Sequence, residues 1–269
     1  MIAMNNNYIH DWDYRLENAL SRKVLDIIIK FHQSSTFLPD RNCKSSFINS
    51  AIYSFHKEAE GKDIVPKYYD EKIDFDIAKT DWKGSTRIFE KSWVMPKNFI
   101  GEVLYNSFGR GKTNYSKRYP SAGALYPVIP LVYIFSSSAV EGIRFPGCYV
   151  FDSTGVSLLS LKHWNSHDLS EIPSVINFTD GYLLSNTAIG YAIDMRRAVA
   201  KYRLRGYRHA LIEVGLMAQS FREAVNEINE DLGEVCWSGF RDNALTFYSG
   251  LNVRLAPVVL VQWFGKRKG

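Results

Sequence analysis

Three short stretches of this sequence carry residue types that could do chemistry. In Arg118-Tyr119-Pro120-Ser121-Ala122-Gly123-Ala124-Leu125-Tyr126-Pro127, two prolines fix the backbone while Ser121 to Ala124 leave almost no side-chain bulk. A chain built this way lets a flat ring approach the main chain closely. It would serve equally as a tight turn feeding a strand at Ile129. In Lys83-Gly84-Ser85-Thr86-Arg87-Ile88-Phe89, basic residues bracket a hydroxyl, and Ile88 and Phe89 can anchor the segment in a core. Charge-assisted hydrogen bonds from such a group could hold a phosphate; a solvated basic turn is the plain alternative.

The third stretch runs from Lys201-Tyr202-Arg203-Leu204-Arg205 to Gly215. As a helix it would place Lys201, Arg205, Arg208, Ile212, Gly215 and Gln219 on one stripe. Leu204, Tyr207, Leu211, Val214, Ala218 and Phe221 would line the adjacent apolar face. A basic stripe is usually a solvated face, but its continuation into Gly215 and Gln219 suggests close packing. Adjacent helical residues point about 100° apart, so Lys201 and Tyr202 could serve one substrate only from a helix start or an irregular entry. Gly109-Arg110-Gly111-Lys112-Thr113 ends like a phosphate-binding loop, yet Asn106 stands where the pattern needs Gly, and a helix precedes it.

These stretches need elements to position them. Leu16, Leu20, Val24, Ile27, Ile28 and Phe31 predict a helix over 13–33, and a second runs from about Phe47 to Phe55. From Glu58 to Lys79 the chain is charged and without periodicity, which divides a helical N-terminal extension, 1–78, from a main domain, 79–269. Pro96 suits the first turn of a helix carrying Ile100, Val103, Leu104 and Phe108 on one face. Ile129 to Phe135, Cys148 to Phe151, Thr187 to Ile193 and Glu234 to Trp237 read as strands, the last followed by a helix through Leu245. About 196–229, free of Pro, reads as one long helix. Val258 to Phe264, almost continuously apolar, reads as an interior strand. Strands dispersed among helices without βαβ alternation predict an α+β fold.

At 46 % hydrophobic and 23 % charged residues over 269 positions, the composition suits an ordinary globular protein. The net charge of +5 comes without a basic arm or nucleic-acid motif, so anionic small molecules are expected rather than nucleic acid. Cys43, Cys148 and Cys236 have neither zinc nor disulfide spacing, and Cys236 reads as a small buried hydrophobe. The N-terminus lacks the features of a secretion signal, and no apolar run reaches the roughly 20 residues of a membrane span; a cytoplasmic location is expected.

The motifs, taken in order, resemble the SagB/McbC-type azoline dehydrogenases of the nitroreductase superfamily. Tyr119-Pro120-Ser121-Ala122-Gly123-Ala124-Leu125-Tyr126-Pro127 is close to a signature of that family. Lys83, Ser85, Arg87 and Phe89 match the segment with which flavin-binding nitroreductases grip FMN, and Phe31-His32-Gln33-Ser34-Ser35 echoes a short N-terminal element. The resemblance spans about 84–264, with a length suiting the microcin-type subunit. It implies a nitroreductase-like FMN-binding fold, a mostly antiparallel sheet flanked by helices. It assigns FMN contacts to Lys83, Ser85, Arg87, Pro120, Ser121, Ala122, Gly123, Ala124, Arg205 and Arg208. Ser238 and Gly239 would add a backbone contact, and Lys266 and Arg267 phosphate contacts. Lys201 and Tyr202 would be the catalytic pair, one of them the base that must be shifted toward neutrality, with Arg205 and Arg208 doing the shifting.

The implied activity is oxidation of thiazoline or oxazoline rings in a precursor peptide, made from Cys, Ser or Thr, to thiazoles or oxazoles. The implied partners are a YcaO-type cyclodehydratase, a precursor-peptide-binding subunit and a second copy of the chain as a homodimer; neither nucleic acid nor membrane is expected. The absence of Gly-x-Gly-x-x-Gly favours FMN over a dinucleotide. A general nitro or quinone reductase, or a flavin-bearing scaffold without turnover, remain the alternatives.

Overall fold

The computed structural model describes residues 20–36 and 50–269, which fall into two units: 20–36 with 85–269, and 50–84. The smaller holds α2 (Ser50–Ala59), after which 60–84 form no helix or strand. Its charged, aperiodic sequence offers no face to bury, and Ile64, Tyr68, Phe75 and Trp82 stand exposed. Helix α1 (Arg22–Ser35) belongs to the larger unit, although the sequence placed it in an extension. The expected helix over 13–19 lies outside the described residues.

The larger unit is built on one six-stranded sheet: β1 (Val128–Ile134), β2 (Gly147–Asp152), β3 (Ser157–His163), β4 (Thr187–Ile193), β5 (Leu232–Trp237) and β6 (Val258–Lys266), ordered β3-β2-β1-β4-β6-β5. Every strand pairing is antiparallel. The apolar runs of β1, β4 and β6 take interior places because cores cover both faces. On one face lie Val132, Ile134, Ile189 and Phe264, covered by α3 (Lys97–Phe108) and α6 (Leu204–Ile228). On the other lie Leu131, Tyr133, Val261 and Trp263, covered by α4 (Ser166–Ile176) and α7 (Asp242–Tyr248). The α+β expectation is met.

Helix α3 begins after Pro96 and buries Ile100, Val103, Leu104 and Phe108, as the pattern requires. Two elements carried no legible signal: β3, a half-exposed edge strand without alternation, and α4, which tolerates Pro173 in its C-terminal half and is started by an Asn165–Asp168 capping box.

The largest departure is at the long helix. It is broken into α5 (Met195–Tyr202) and α6, with Arg203 between them at φ 52°, ψ −132°. The cause sits three residues on. A Cβ added to Gly206 would lie 1.9 Å from the Ala198 carbonyl oxygen, so only glycine allows α6 to start this close against α5. The Arg203 N–H still bonds Val199 O and closes α5. The break also re-aims the face of α6: Tyr207, Val214, Ala218 and Phe221 are buried as expected, whereas Leu204 and Leu211 are exposed.

Candidate functional site

The break leaves Lys201 and Tyr202 in the last turn of α5, at an irregular exit rather than a helix start. Helix α5 is fixed at its other end by Asp194, whose carboxylate caps the Arg196 and Arg197 N–H groups and whose own N–H bonds Pro127 O. That last bond ties the helix to the end of the Pro-Ser-Ala-Gly-Ala turn. In the turn, Ala122–Ala124 form a single 3₁₀ turn with Gly123 at φ 64° and Ala124 at φ 54°. The Ser121 carbonyl accepts the Ala124 N–H, and the Ser121 hydroxyl accepts the Tyr126 N–H at 2.9 Å.

This turn faces the Lys-Tyr pair directly. A Cβ on Gly123 would stand 2.8 Å from Tyr202 Oη and 3.2 Å from Lys201 Nζ. The Lys201 ammonium also lies 5.3 Å from the centroid of the Tyr202 ring, and the Tyr202 ring meets His209 edge-on at 5.0 Å. Residues some 80 positions apart in sequence thus form one small-residue cradle with a phenol and an amine on its wall.

Beneath the cradle is a polar floor that sequence reasoning missed. Glu213, on α6, is buried and shares a small void with Ala122 of the turn and with Tyr202. Burial pushes Glu213 up to about 7, against the pull of the Lys117 and Arg197 cations. Lys117 donates to Phe108 O at 2.8 Å and is held down at about 8, chiefly by burial and then by Arg110. Arg110 lies over the Tyr126 ring at 4.7 Å. Burial lowers Arg197 and raises Tyr119. Ala122, Leu125, Tyr202, Gly206, His209 and Glu213 line one small void, and Glu213 Oε1 and His209 Nδ1 are buried without a hydrogen-bond partner among the described residues. The available signal was spacing: His209 and Glu213 are four apart, on one face of α6.

A second group forms where 85–89 lies antiparallel to the end of β6. Phe89 bridges Arg267, the Glu90 N–H bonds Lys266 O, and the Thr86 N–H bonds Glu234 O on β5. Phe89 anchors this segment as expected; Ile88 instead is exposed. The segment that carries Ser85 and Arg87 thus runs beside the backbone of Lys266 and Arg267. Lys266 pairs with Glu90 at 2.9 Å, and Arg267 turns its Nε to Leu232 O. Arg222, unforeseen because it sits mid-helix, donates from Nη2 to Ser85 Oγ at 2.7 Å and from Nε to Glu234 Oε1. Buried Glu234 is braced by Gln262 Nε2 at 2.6 Å, and Gln262 by Tyr191 Oη at 2.6 Å, so this guanidinium is held by a fixed chain of hydrogen bonds.

Several expectations are corrected. Arg205 and Arg208 do not continue a stripe from Lys201, because Arg203 interrupts the helix; both are exposed, without a hydrogen bond or ion pair among the described residues. Gly215 and Gln219 are exposed rather than closely packed, with open space around Gly215. Cys236 is exposed, not buried. Ser238 and Gly239 sit in the turn after β5, where Gly239 O accepts from Trp237 Nε1 and the Phe178 N–H. Lys83 lies in the smaller unit. A cleft of about 990 Å³, bounded by Ile100, Tyr105, Phe145, Tyr149 and His163, contains none of the predicted residues. Chemistry, not size, marks the candidate site.

No family model matches the chain. The microcin B17-processing protein McbC of Escherichia coli is 28 % identical over 169 residues, 62 % of this chain and 60 % of that protein, so the match spans less than two thirds of the relative's length. A chain of the E. coli microcin synthetase McbBCD complex with truncated pro-MccB17 bound superposes at TM-score 0.82, covering 95 % of this chain and 97 % of that one at 23 % identity. A protein of Ralstonia eutropha assigned as a nitroreductase superposes at TM-score 0.56 over 69 % of this chain and 80 % of its own, at 16 % identity. The fold is therefore nitroreductase-like. No helix among the described residues is long and apolar enough to cross a membrane.

Proposed function

We propose that this chain is an FMN-dependent dehydrogenase that oxidises thiazoline or oxazoline rings of a precursor peptide to thiazoles or oxazoles, working in the cytoplasm within a heterocycle synthetase. The observation that carries this reading is the meeting of Lys201 and Tyr202 with the Gly123 turn, an amine and a phenol set against main chain with almost no side-chain bulk. Similarity to McbC supports the substrate class, and likeness to the microcin synthetase complex supports partnership with a cyclodehydratase and a precursor-peptide-binding subunit.

The residues present fit FMN. Ser121 to Ala124 would lie along the ring, and Ser85, Arg87, Lys266 and Arg267 would supply the groups for a phosphate. Bound flavin supplies the hydride acceptor for the reaction. The chain's own groups do the rest: Lys201 or Tyr202 removes the proton from the azoline carbon, and the 3₁₀ turn fixes the approach of the ring. The exposed stripe of Leu204, Leu211, Ile212 and Leu216 on α6 favours a homodimer.

The test is azoline-peptide turnover by the assembled synthetase, read by mass spectrometry as loss of two hydrogens per ring. Lys201→Ala and Tyr202→Phe are each expected to keep FMN yet lose about 10² to 10⁴ in rate. A wild-type protein that binds flavin and leaves azolines untouched would overturn the reading.

A further inference from the structure

The first turn of α6 is held by two other helices. Gly206 lies against the Ala198 carbonyl of α5. The next residue, Tyr207, is clasped by α1 across 175 positions of sequence: its Oη lies 2.8 Å from His32 Nδ1, inside the core. The Phe31 ring meets the Tyr207 ring edge-on at 6.1 Å. Helix α1 packs on both α5 and α6, with Val24 and Ile28 in the same core as Ala198, Val199 and Tyr207. Its last turn is anchored independently, because Gln33 exchanges hydrogen bonds with Asn243 of α7 and donates to Val253 O. We propose that His32 is a positioning residue, whose hydrogen bond to Tyr207 locks the joint between α5 and α6 and so sets where Lys201 and Tyr202 stand against the Gly123 turn. The proposal rests on the azoline-oxidising reading of that site.

Chemistry fixes the direction of the bond. His32 Nε2 is buried without a partner among the described residues. With the ring proton on Nδ1, the Tyr207 O–H and Nε2 would both be buried and unmet. With the proton on Nε2, the Tyr207 O–H donates to Nδ1 and the Nε2–H alone is left. The second arrangement strands fewer buried groups, so Nδ1 is the acceptor. Burial pushes His32 down, against the pull of Asp242, and pushes Tyr207 up to about 12, so both partners stay neutral between pH 7 and 9. The coupling to the site is mechanical. Gly206 and Tyr207 are neighbours in the first turn after Arg203, so a turn released from α1 no longer holds Gly206 against Ala198. Lys201 and Tyr202 follow Ala198 by about one helical turn, at the end of α5 that this contact fixes.

The experiment measures kcat and KM for azoline oxidation by the assembled synthetase, with FMN affinity and Tm of the purified full chain. The proteins are wild type, His32→Asn, His32→Gln, Tyr207→Phe and the two double variants. An Asn amide oxygen falls where Nδ1 stood, whereas Gln carries its amide out toward the Nε2 position and leaves the Tyr207 hydroxyl unmet. His32→Gln and Tyr207→Phe should each lower kcat about tenfold or more, with KM and FMN affinity within about twofold of wild type, since a misplaced pair acts on the chemical step. His32→Asn should keep kcat within about threefold, although the smaller side chain leaves the larger void, so Tm and kcat should not fall together. In the Tyr207→Phe background, Asn and Gln at position 32 should give the same kcat. A His32→Gln protein as fast as wild type, Asn and Gln variants equally slow, or kcat that falls in step with Tm across the set overturns the proposal. Wild type that binds FMN but oxidises no azoline defeats the underlying reading, and the proposal with it.

Discussion

Adding one methyl group at Gly123 separates stability from chemistry. Gly123→Ala places a left-handed residue at φ 64°, which costs about 1–2 kcal/mol for an L side chain. The new Cβ would stand 2.8 Å from Tyr202 Oη and 3.2 Å from Lys201 Nζ. Both are the far ends of flexible side chains, so they would yield rather than the backbone, and little further stability should be lost. A net loss near 1 kcal/mol lowers Tm by about 2–4 °C in a protein of this size. The displaced groups are the proposed proton acceptors, and a misplacement on the order of 1 Å can cost about 10²-fold in rate. A melting curve beside a single-turnover azoline assay reads both quantities. The expected result is a small shift in Tm with turnover reduced roughly a hundredfold. Full turnover in a variant that melts normally would refute the claim that the pair works from against this turn.

Arg222→Ala, which removes the guanidinium from Ser85, should weaken FMN about tenfold or more but leave riboflavin affinity unchanged, as should Arg87→Ala; equal losses for both flavins in fluorescence titrations would exclude a phosphate role. Ile212→Glu, on the exposed face of α6, should convert a dimer to a monomer by light scattering, and a flavin-loaded wild-type monomer would dispose of the dimer. Glu213 gives a stability prediction whose sign follows from its raised titration. The folded state holds the Glu213 proton up to about pH 7 and the unfolded state only to about 4.5, so its stabilising contribution is present below 4.5 and lost as pH rises to 7. The loss is about 3 kcal/mol, and Glu213→Gln should escape it, so denaturant melts at pH 4.5 and 8 should show the variant gaining on wild type with pH.

What was legible in the sequence followed from strong local signals. β1, β4 and β6 are interior because continuous apolar runs admit little else, and α3 announced itself through Pro96 and a single apolar face. The turn around Gly123 was legible because so many bulk-free residues between prolines have few other uses. The helix break was not, since residues 196–229 contain no proline and each half is a good helix former; the decisive fact is a contact between Gly206 and the Ala198 carbonyl. Glu213 and Arg222 were invisible for a similar reason. Each lies mid-helix among ordinary charged neighbours, and only the fold shows that one is buried beneath the turn and the other touches Ser85.

The interruption at Arg203 also bears on how such a protein can diverge. In an unbroken helix, Lys201 would share a rigid rod with the residues that fill the core of α6, and any change in one would be felt by the other. Here the pair sits on an eight-residue helix of its own, joined to the twenty-five-residue core helix through a single non-helical residue. Substitutions at the end of α5 can therefore alter reactivity while Met217, Phe221 and Val225 keep their packing. The joint lets the chemistry change while the packing of the long helix stays as it is.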